Sequence, residues 1–363
     1  MLRGKLNALR GLIRDKEASA LILTNPRNMG YLLGYEDGIL AYLDDSTVKV
    51  VVPLLDYDRA MELIGGDAEV LAYSGYKLPV EGNFIFGSDE LTRLVSSWVR
   101  QGSGVVIDDP NNQLVGKVLN AANAKPINAS GDIQGIRSVK LPEELELIKG
   151  AIDITLKVLD ELYNMRLVGI RERDVAAYIY QGLIRHGGDE LAFNPIVGSG
   201  PNGAKPHHTH SDRIIGEGET VVIDIGARYR LYCADVTRTL TTGGIEGKLK
   251  DAYEAVVEAS RSAIRAIKPG VKASDVDAEA RRVINEYGFP WGFIHSLGHG
   301  VGVEVHEKPL LGPGSSDVLR AGNVITIEPG IYIKGVGGIR VENMVLVTEG
   351  GAEVLTRDKY AYV

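Results

Sequence analysis

Between Val221 and Thr237 the chain reads Val-Val-Ile-Asp-Ile-Gly-Ala-Arg-Tyr-Arg-Leu-Tyr-Cys-Ala-Asp-Val-Thr. Its first residues form a near-continuous apolar run rich in β-branched side chains, the pattern of a buried strand. Asp224 interrupts that run. A carboxylate in a buried strand is costly unless a cation or hydrogen bonds compensate it. The polar segment Arg228–Arg230 predicts a turn, and the returning strand carries Asp235. A hairpin centred between Tyr229 and Arg230 sets Asp224 directly opposite Asp235, where Cβ atoms lie roughly 4.5–5.5 Å apart and like charges repel. A positive species is expected between them, and a metal ion is the first candidate.

The remaining composition is that of an ordinary soluble globular protein. At 363 residues the chain is expected to form two domains, and 44% apolar with 24% charged residues suffices for full cores. A net charge of −8 argues against binding nucleic acid or an anionic membrane. The single cysteine, Cys233, excludes an intramolecular disulfide and is read as core. No run reaches signal-peptide or membrane-spanning character, so the expected location is the cytoplasm.

In the first part, Leu2, Leu6, Leu9 and Ile13 follow helical spacing. Ala20–Thr24 reads as a strand stopped by Asn25-Pro26, and Ile39–Leu43 with Val48–Val52 as a hairpin. Further strands are expected at Glu69–Ala72 and Gly104–Asp108, and helices at Asp89–Gln101 and Gln113–Ala122. This alternation predicts an α/β domain with a mixed sheet, residues 1–131, that covers or shapes a site elsewhere. The polar stretch Ala129–Gly135 marks the boundary to a second domain, 132–363, whose first helix opens at Pro142-Glu143-Glu144.

The second domain repeats itself. Gly169-Ile170-Arg171-Glu172-Arg173-Asp174-Val175-Ala176-Ala177 matches Gly270-Val271-Lys272-Ala273-Ser274-Asp275-Val276-Asp277-Ala278, and each segment leads into a helix ending near Gly187 or Gly288. Long helix, turn, second helix, histidine cluster and paired strands recur in that order, which indicates duplication. The second copy carries its own acids. Ile325-Thr326-Ile327-Glu328-Pro329-Gly330 and Gly338-Ile339-Arg340-Val341-Glu342 flank a turn, and centring it on Gly335 sets Glu328 opposite Glu342.

Singly, each acid could pair with Arg230, Arg238 or Arg340 on a solvated surface. Two facing pairs in related apolar hairpins are better explained by metal. Adding His299 from Gly298-His299-Gly300-Val301-Gly302 gives four carboxylates and one imidazole, a donor set suited to Mn²⁺, Co²⁺, Fe²⁺ or Zn²⁺. Four carboxylates exceed the needs of one ion, so two ions about 3.5–4 Å apart are expected. Of the other histidines, His208 and His210 are read as exposed loop residues, His295 as orienting a neighbour or packing, and His186 as capping a helix end.

These motifs, in this order, resemble the pita-bread-fold metallopeptidases, the family of methionine aminopeptidase, aminopeptidase P, prolidase and creatinase. The likeness rests on Asp224 with Asp235, Gly298–Gly302, Val305-His306-Glu307, Ile327–Gly330 and Arg340–Glu342, and it spans essentially the whole chain. Asn28-Met29-Gly30-Tyr31-Leu32-Leu33-Gly34 and Arg137-Ser138-Val139-Lys140 resemble signatures of the prolidase, aminopeptidase P and creatinase branch. The resemblance implies a creatinase-like N-terminal domain before an α+β pita-bread catalytic domain with pseudo-twofold duplication.

By position it implies that Asp224 binds one ion, His299 and Glu328 the other, and that Asp235 and Glu342 bridge both. A water between the ions would become the nucleophile. Glu328 resembles the family's proton shuttle, and His207 and His306 its histidines at the scissile peptide, which bind it and stabilise the oxyanion. Arg340 matches an arginine near the bridging ligands and could instead be a structural partner of Glu342. The implied activity is hydrolysis of the bond before proline in a small peptide, with Mn²⁺ or Co²⁺ favoured and a homodimeric assembly. The modest N-terminal domain favours an Xaa-Pro dipeptidase. Aminopeptidase P activity on longer Xaa-Pro peptides and a non-enzymatic peptide-binding module are the alternatives.

Overall fold

Short-range signals at Asn and Pro start several of the helices. The computed structural model describes residues 2–79, 82 and 84–356, and the chain divides into two compact units, Met1–Arg137 and Ser138–Val363.

The first unit opens with α1 (Leu2–Asp15), whose Leu9, Leu12 and Ile13 are buried, and continues into the fully buried β1 (Ala20–Leu23). Asn25-Pro26 stops that strand as expected and also starts α2 (Pro26–Leu33). The Asn25 side chain accepts from the Arg27 amide, and Pro26 sits in the first turn, where its missing N–H costs nothing. There follow β2 (Leu40–Leu43), β3 (Val48–Pro53), α3 (Tyr57–Ile64), β4 (Glu69–Ser74), β5 (Ile85–Phe86), α4 (Ser88–Trp98), β6 (Gly104–Ile107), α5 (Gln113–Ala121), β7 (Lys125–Asn128) and α6 (Ser130–Ser138). The strands form one sheet in the order β5-β4-β3-β2-β1-β6-β7. It is mixed: β1, β2 and β3 are antiparallel neighbours, and the outer pairs are parallel. The stretch read as a polar boundary is instead helix α6, anchored by the fully buried Ile133.

The second unit contains α7 (Pro142–Tyr163), α8 (Glu172–Arg185), β8 (Glu190–Leu191), β9 (Ile196–Ser199), β10 (Thr220–Ile225), β11 (Ala227–Tyr229), β12 (Tyr232–Cys233) and β13 (Val236–Thr241). Its second half contains α9 (Lys248–Ala266), α10 (Ala273–Glu286), β14 (Gly298–Gly300), β15 (Glu307–Leu311), β16 (Val324–Ile327), β17 (Gly330–Ile333), β18 (Gly337–Arg340), β19 (Asn343–Thr348) and β20 (Gly351–Val354). The duplication is visible in backbone detail. Gly169 N donates to Ile215 O as Gly270 N does to Leu319 O, and Arg171 bridges Ile214 as Lys272 bridges Val318. Each half buries its own core, one around Val158, Val175, Ile223 and Val236, the other around Val256, Val276, Ile325 and Val345.

Both hairpins exist, and one has a different register from the expected one. The pairs Asp224↔Thr237 and Arg228↔Cys233 centre the first hairpin between Arg230 and Leu231, so Asp224 faces Thr237 and not Asp235. Both turn residues have positive φ, 48° and 76°. Leucine in the left-handed region is unusual, which is why the polar segment Arg228–Arg230 was the natural place to centre the turn. The displacement is two residues, so both acids keep their face of the ribbon. The second hairpin pairs Ile331↔Ile339 and Ile333↔Gly337, centred on Gly335 at φ 78°, as the sequence predicts.

Among the described residues no helix is long and apolar enough to cross a membrane.

Candidate active site

The two hairpins bend where their acids sit. Asp235 lies between β12 and β13, and Glu342 between β18 and β19, each in a gap between paired segments. Asp224 is in β10, Glu328 directly follows β16, and His299 is the middle residue of β14. The glycines flanking His299 are needed for close approach. A Cβ at Gly298 would meet Thr326 O at 2.0 Å, and one at Gly300 would meet Lys308 O at 2.0 Å. Strand β14 is thus wedged between its neighbours with only the imidazole projecting.

This wedge brings Asp235, His299 and Glu342 together, each offering a ligand atom within 4.8 Å of the others. His299 Nε2 lies 3.6 Å from Asp235 Oδ2 and 3.4 Å from Glu328 Oε1. Its Nδ1 is 3.0 Å from Gly300 O. A carbonyl only accepts, so Nδ1 carries a proton and Nε2 faces the acids, the orientation a metal-binding imidazole requires. Thr326 braces two of these groups, its hydroxyl accepting from His299 N at 3.1 Å and reaching Glu328 Oε1 at 3.4 Å.

Asp224 is held from the other hairpin. Arg340 Nη2 donates to its Oδ2 at 2.6 Å, while its Oδ1 is buried with no hydrogen-bond partner. The guanidinium also donates from Nε to Thr237 Oγ1 at 3.1 Å and from Nη1 to Tyr332 OH at 2.9 Å. Arg340 is therefore partnered with Asp224, and Glu342 takes its hydrogen bond from Thr237 Oγ1 at 2.9 Å. Tyr332 extends the chain to His295, whose Nε2 is 2.9 Å from the phenol oxygen and whose Nδ1 is 2.8 Å from Ser296 O. His295 Nδ1 donates to that carbonyl, Nε2 accepts from the phenol, and the phenol oxygen accepts from Arg340. Burial lowers the His295 pKa, consistent with a neutral ring. His295 thus orients a neighbour.

The cluster holds more negative charge than its own cations offset. Burial, then Glu328 and Asp224, push Glu342 up to about 8. Burial, then Glu342, Asp224 and Glu328, push Asp235 well above the carboxylate range. Burial opposes the charged form of His299, yet the hydrogen bond and charge of Glu328 lift it to about 9. Burial likewise opposes ionised Glu328, but His299 outweighs it and lowers the carboxyl. At an effective dielectric of about 20, two like charges about 4 Å apart repel by about 4 kcal/mol. One guanidinium and one imidazole cannot neutralise four such acids. The orphaned Asp224 oxygen, the mutually raised acids and the oxygen-rich donor set with one aimed nitrogen all fit divalent cations.

His306 packs beside this cluster, its ring tilted 55° to that of His299 with centroids 4.3 Å apart. Its pKa is lowered by burial first and then by His299, with His207 close enough to add to the effect. His207 and His306 are both exposed. The remaining histidines lie elsewhere. His208 is not an exposed loop residue: it is half-buried, with Nε2 2.9 Å from the fully buried Glu172. His210 is half-buried, its Nδ1 without a partner. His186 is the C-cap residue of α8, its Nε2 2.9 Å from Glu161 Oε1. Cys233 is buried and outside any disulfide, its Sγ 3.9 Å from Val303 O. Sequence reasoning missed Thr237, which acts across the duplication on Glu342 and Arg340, and Thr326 and Tyr332, which act within the second half.

Residues 146–349 match the model of metallopeptidase family M24, and residues 5–139 match the creatinase/prolidase N-terminal domain. The chain belongs to metallopeptidase family M24. An Xaa-Pro dipeptidase from Pyrococcus furiosus is 35% identical over 359 residues, 98% of each chain. The solved prolidase from Pyrococcus horikoshii is similar with a TM-score of 0.87 and 32% identity, covering 99% of this chain and 100% of that one. The solved X-Pro aminopeptidase from Thermotoga maritima is similar with a TM-score of 0.83 and 30% identity, covering 94% and 96%. This family member is accordingly a metallopeptidase, with a creatinase-type domain ahead of its catalytic domain.

Proposed function

We propose that this metallopeptidase hydrolyses the bond before proline in Xaa-Pro dipeptides, using two divalent ions. The observation that carries the metal part is the buried cluster of Asp235, His299 and Glu342, with Glu328 beside His299 and the buried Asp224 Oδ1 unpartnered. The substrate class is supported by the Xaa-Pro dipeptidase and prolidase likenesses along nearly the whole chain. Asp224 would serve one ion, His299 and Glu328 the other, and Asp235 and Glu342 would be shared between them. Mn²⁺ or Co²⁺ suits this donor set, with Fe²⁺ or Zn²⁺ as alternatives. A homodimer is the assembly we expect.

When bound, the ions acidify water and polarise the scissile carbonyl. The chain's own residues do the rest. Glu328, ionised and less enclosed than Asp235 or Glu342, takes a proton from the attacking water and passes it to the leaving imino nitrogen of proline. His306 and His207, exposed beside the cage, bind the peptide and donate to the oxyanion as it forms. Arg340 is spent on Asp224, Thr237 and Tyr332, its side chain only 4% exposed. We assign it as a positioning residue that fixes Asp224.

Likeness to an X-Pro aminopeptidase favours a second reading, release of Xaa from longer Xaa-Pro peptides. Assaying the Mn²⁺-loaded protein on an Xaa-Pro dipeptide, an Xaa-Pro-Xaa tripeptide and a Met-Ala-Xaa peptide decides between them. Preference for the dipeptide is expected. Preference for the Xaa-Pro tripeptide moves the assignment to aminopeptidase P, and preference for Met-Ala-Xaa removes proline specificity.

A further inference from the structure

Residue 172 is where the two halves of the catalytic unit part company. Glu172 N donates to Arg213 O at 3.0 Å, and its counterpart Ala273 N donates to Asp317 O at 2.9 Å. The same corner starts α8 and α10, and both residues are 0% exposed. The second half builds this corner with alanine, so the fold itself does not call for a carboxylate. An ionised group in so dry a place is kept only if its partners offset desolvation.

Those partners all come from one segment. Glu172 Oε1 accepts from Ser199 N and Ser199 Oγ, both at 2.8 Å. Oε2 accepts from Ser211 N at 3.0 Å and Ser211 Oγ at 2.6 Å, and lies 2.9 Å from His208 Nε2. Asn202 Nδ2 spans both oxygens at 3.1 and 3.2 Å. Burial alone would raise this carboxyl, but the donors from Ser211, Ser199 and His208 outweigh it and hold it at about 2. The clamped segment carries His207 in its middle. Its far side is fastened by Pro206 O, which accepts from Arg340 Nη1 at 3.3 Å.

We propose that Glu172 is a positioning residue, whose buried carboxylate shapes the 199–211 segment so that His207 meets the peptide beside His306. The proposal rests on the reading of His207 as a substrate-contacting group. Bonds to an ionised acceptor are roughly twice as strong as neutral ones, which suits a clamp. A misplacement of about 1 Å at a reacting centre can cost on the order of a hundredfold in rate. Glu172→Gln keeps the size but points an N–H₂ group at donors.

A double-mutant cycle tests this. kcat/KM on an Xaa-Pro dipeptide is measured for the Mn²⁺-loaded wild type, Glu172→Gln, His207→Ala and the double variant, with bound metal counted in each. Glu172→Gln is expected to lower kcat/KM on the order of 10–100-fold with metal content unchanged. In the His207→Ala background the same change should cost less than about twofold, because its effect runs through the missing imidazole. Equal losses in both backgrounds, or no loss in the wild type, would overturn the proposal. If His207→Ala alone keeps the wild-type value, the reading of His207 falls and the proposal with it. An impaired His207→Ala with additive losses defeats only the positioning role. Should Glu172→Gln not fold, Ser211→Ala, which removes the 2.6 Å bond, goes through the same cycle with the same criteria.

Discussion

The hydroxyl of Thr237 lies 2.9 Å from Oε2 of Glu342, although the two residues sit in different halves of the duplicated unit. Thr237 faces Asp224 in the ladder, its carbonyl accepts from Glu342 N at 3.0 Å, and its hydroxyl accepts from Arg340 Nε at 3.1 Å. This small side chain therefore helps tie together the two hairpins that carry the acids, beside the Arg340–Asp224 pair.

Thr237→Val keeps the shape and removes that hydroxyl. Leaving a buried acceptor unpaired costs about 1–3 kcal/mol, and loss of a group that orients a ligand lowers metal affinity about 10–100-fold. Competition with a chelator of known affinity reads this out. Unchanged affinity would separate Thr237 from the metal centre.

The metal-free protein should lose stability as pH rises. Glu342 is raised from 4.5 to about 8, and His299 from 6.5 to about 9. Both folded-state values exceed the unfolded ones, so the folded protein holds protons that the unfolded chain releases. Their contribution is full below pH 4.5 and 6.5 respectively, and is lost as pH climbs through about 8 and 9. Glu328 is lowered and acts in the opposite sense, losing its contribution only as pH falls below the carboxylate range. Thermal melts with chelator present should show Tm falling by several degrees from about pH 6 to about pH 9. Added Mn²⁺ should recover more at the higher pH, where its ligands are unprotonated. A Tm that rises over that interval contradicts the charge assignment.

The turn at Arg230 and Leu231 stores strain. Both residues have positive φ, and left-handed backbone costs about 1–2 kcal/mol for an ordinary residue. Arg230→Asn together with Leu231→Gly supplies the residues a two-residue turn of this hand prefers. Denaturant melts should show a gain of about 1–2 kcal/mol, with kcat/KM on the preferred peptide unchanged. A loss of stability would show that the native pair makes contacts worth more than the strain.

What could be read in the sequence follows from how local each signal is. Asp224 and Glu328 stand out because an acid inside an apolar strand is anomalous by itself, and Gly335 fixes its hairpin because the turn needs a positive φ there. The first hairpin slipped by two residues because its turn uses Leu231, which no turn preference would choose. Asn25-Pro26 is ambiguous in the same way, since the pair that ends β1 also begins α2. Helix α6 carries two glycines and few apolar residues, and its register depends on Ile133. Thr237, Tyr332 and Glu172 were silent for a different reason. A threonine, a tyrosine and an acidic residue at a helix start are commonplace, and their importance comes from partners 105, 37 and 39 positions away.

The central claim is that the buried acids serve two ions that the chemistry requires. It is tested most directly by titrating Mn²⁺ into stripped protein while recording ions bound per chain and the rate of Xaa-Pro dipeptide hydrolysis, for the wild type and Glu342→Gln. The account predicts no turnover without metal, activity that develops as two ions load per wild-type chain, and a Glu342→Gln protein that neither loads two ions nor turns over. Undiminished hydrolysis by the fully stripped wild type would contradict it.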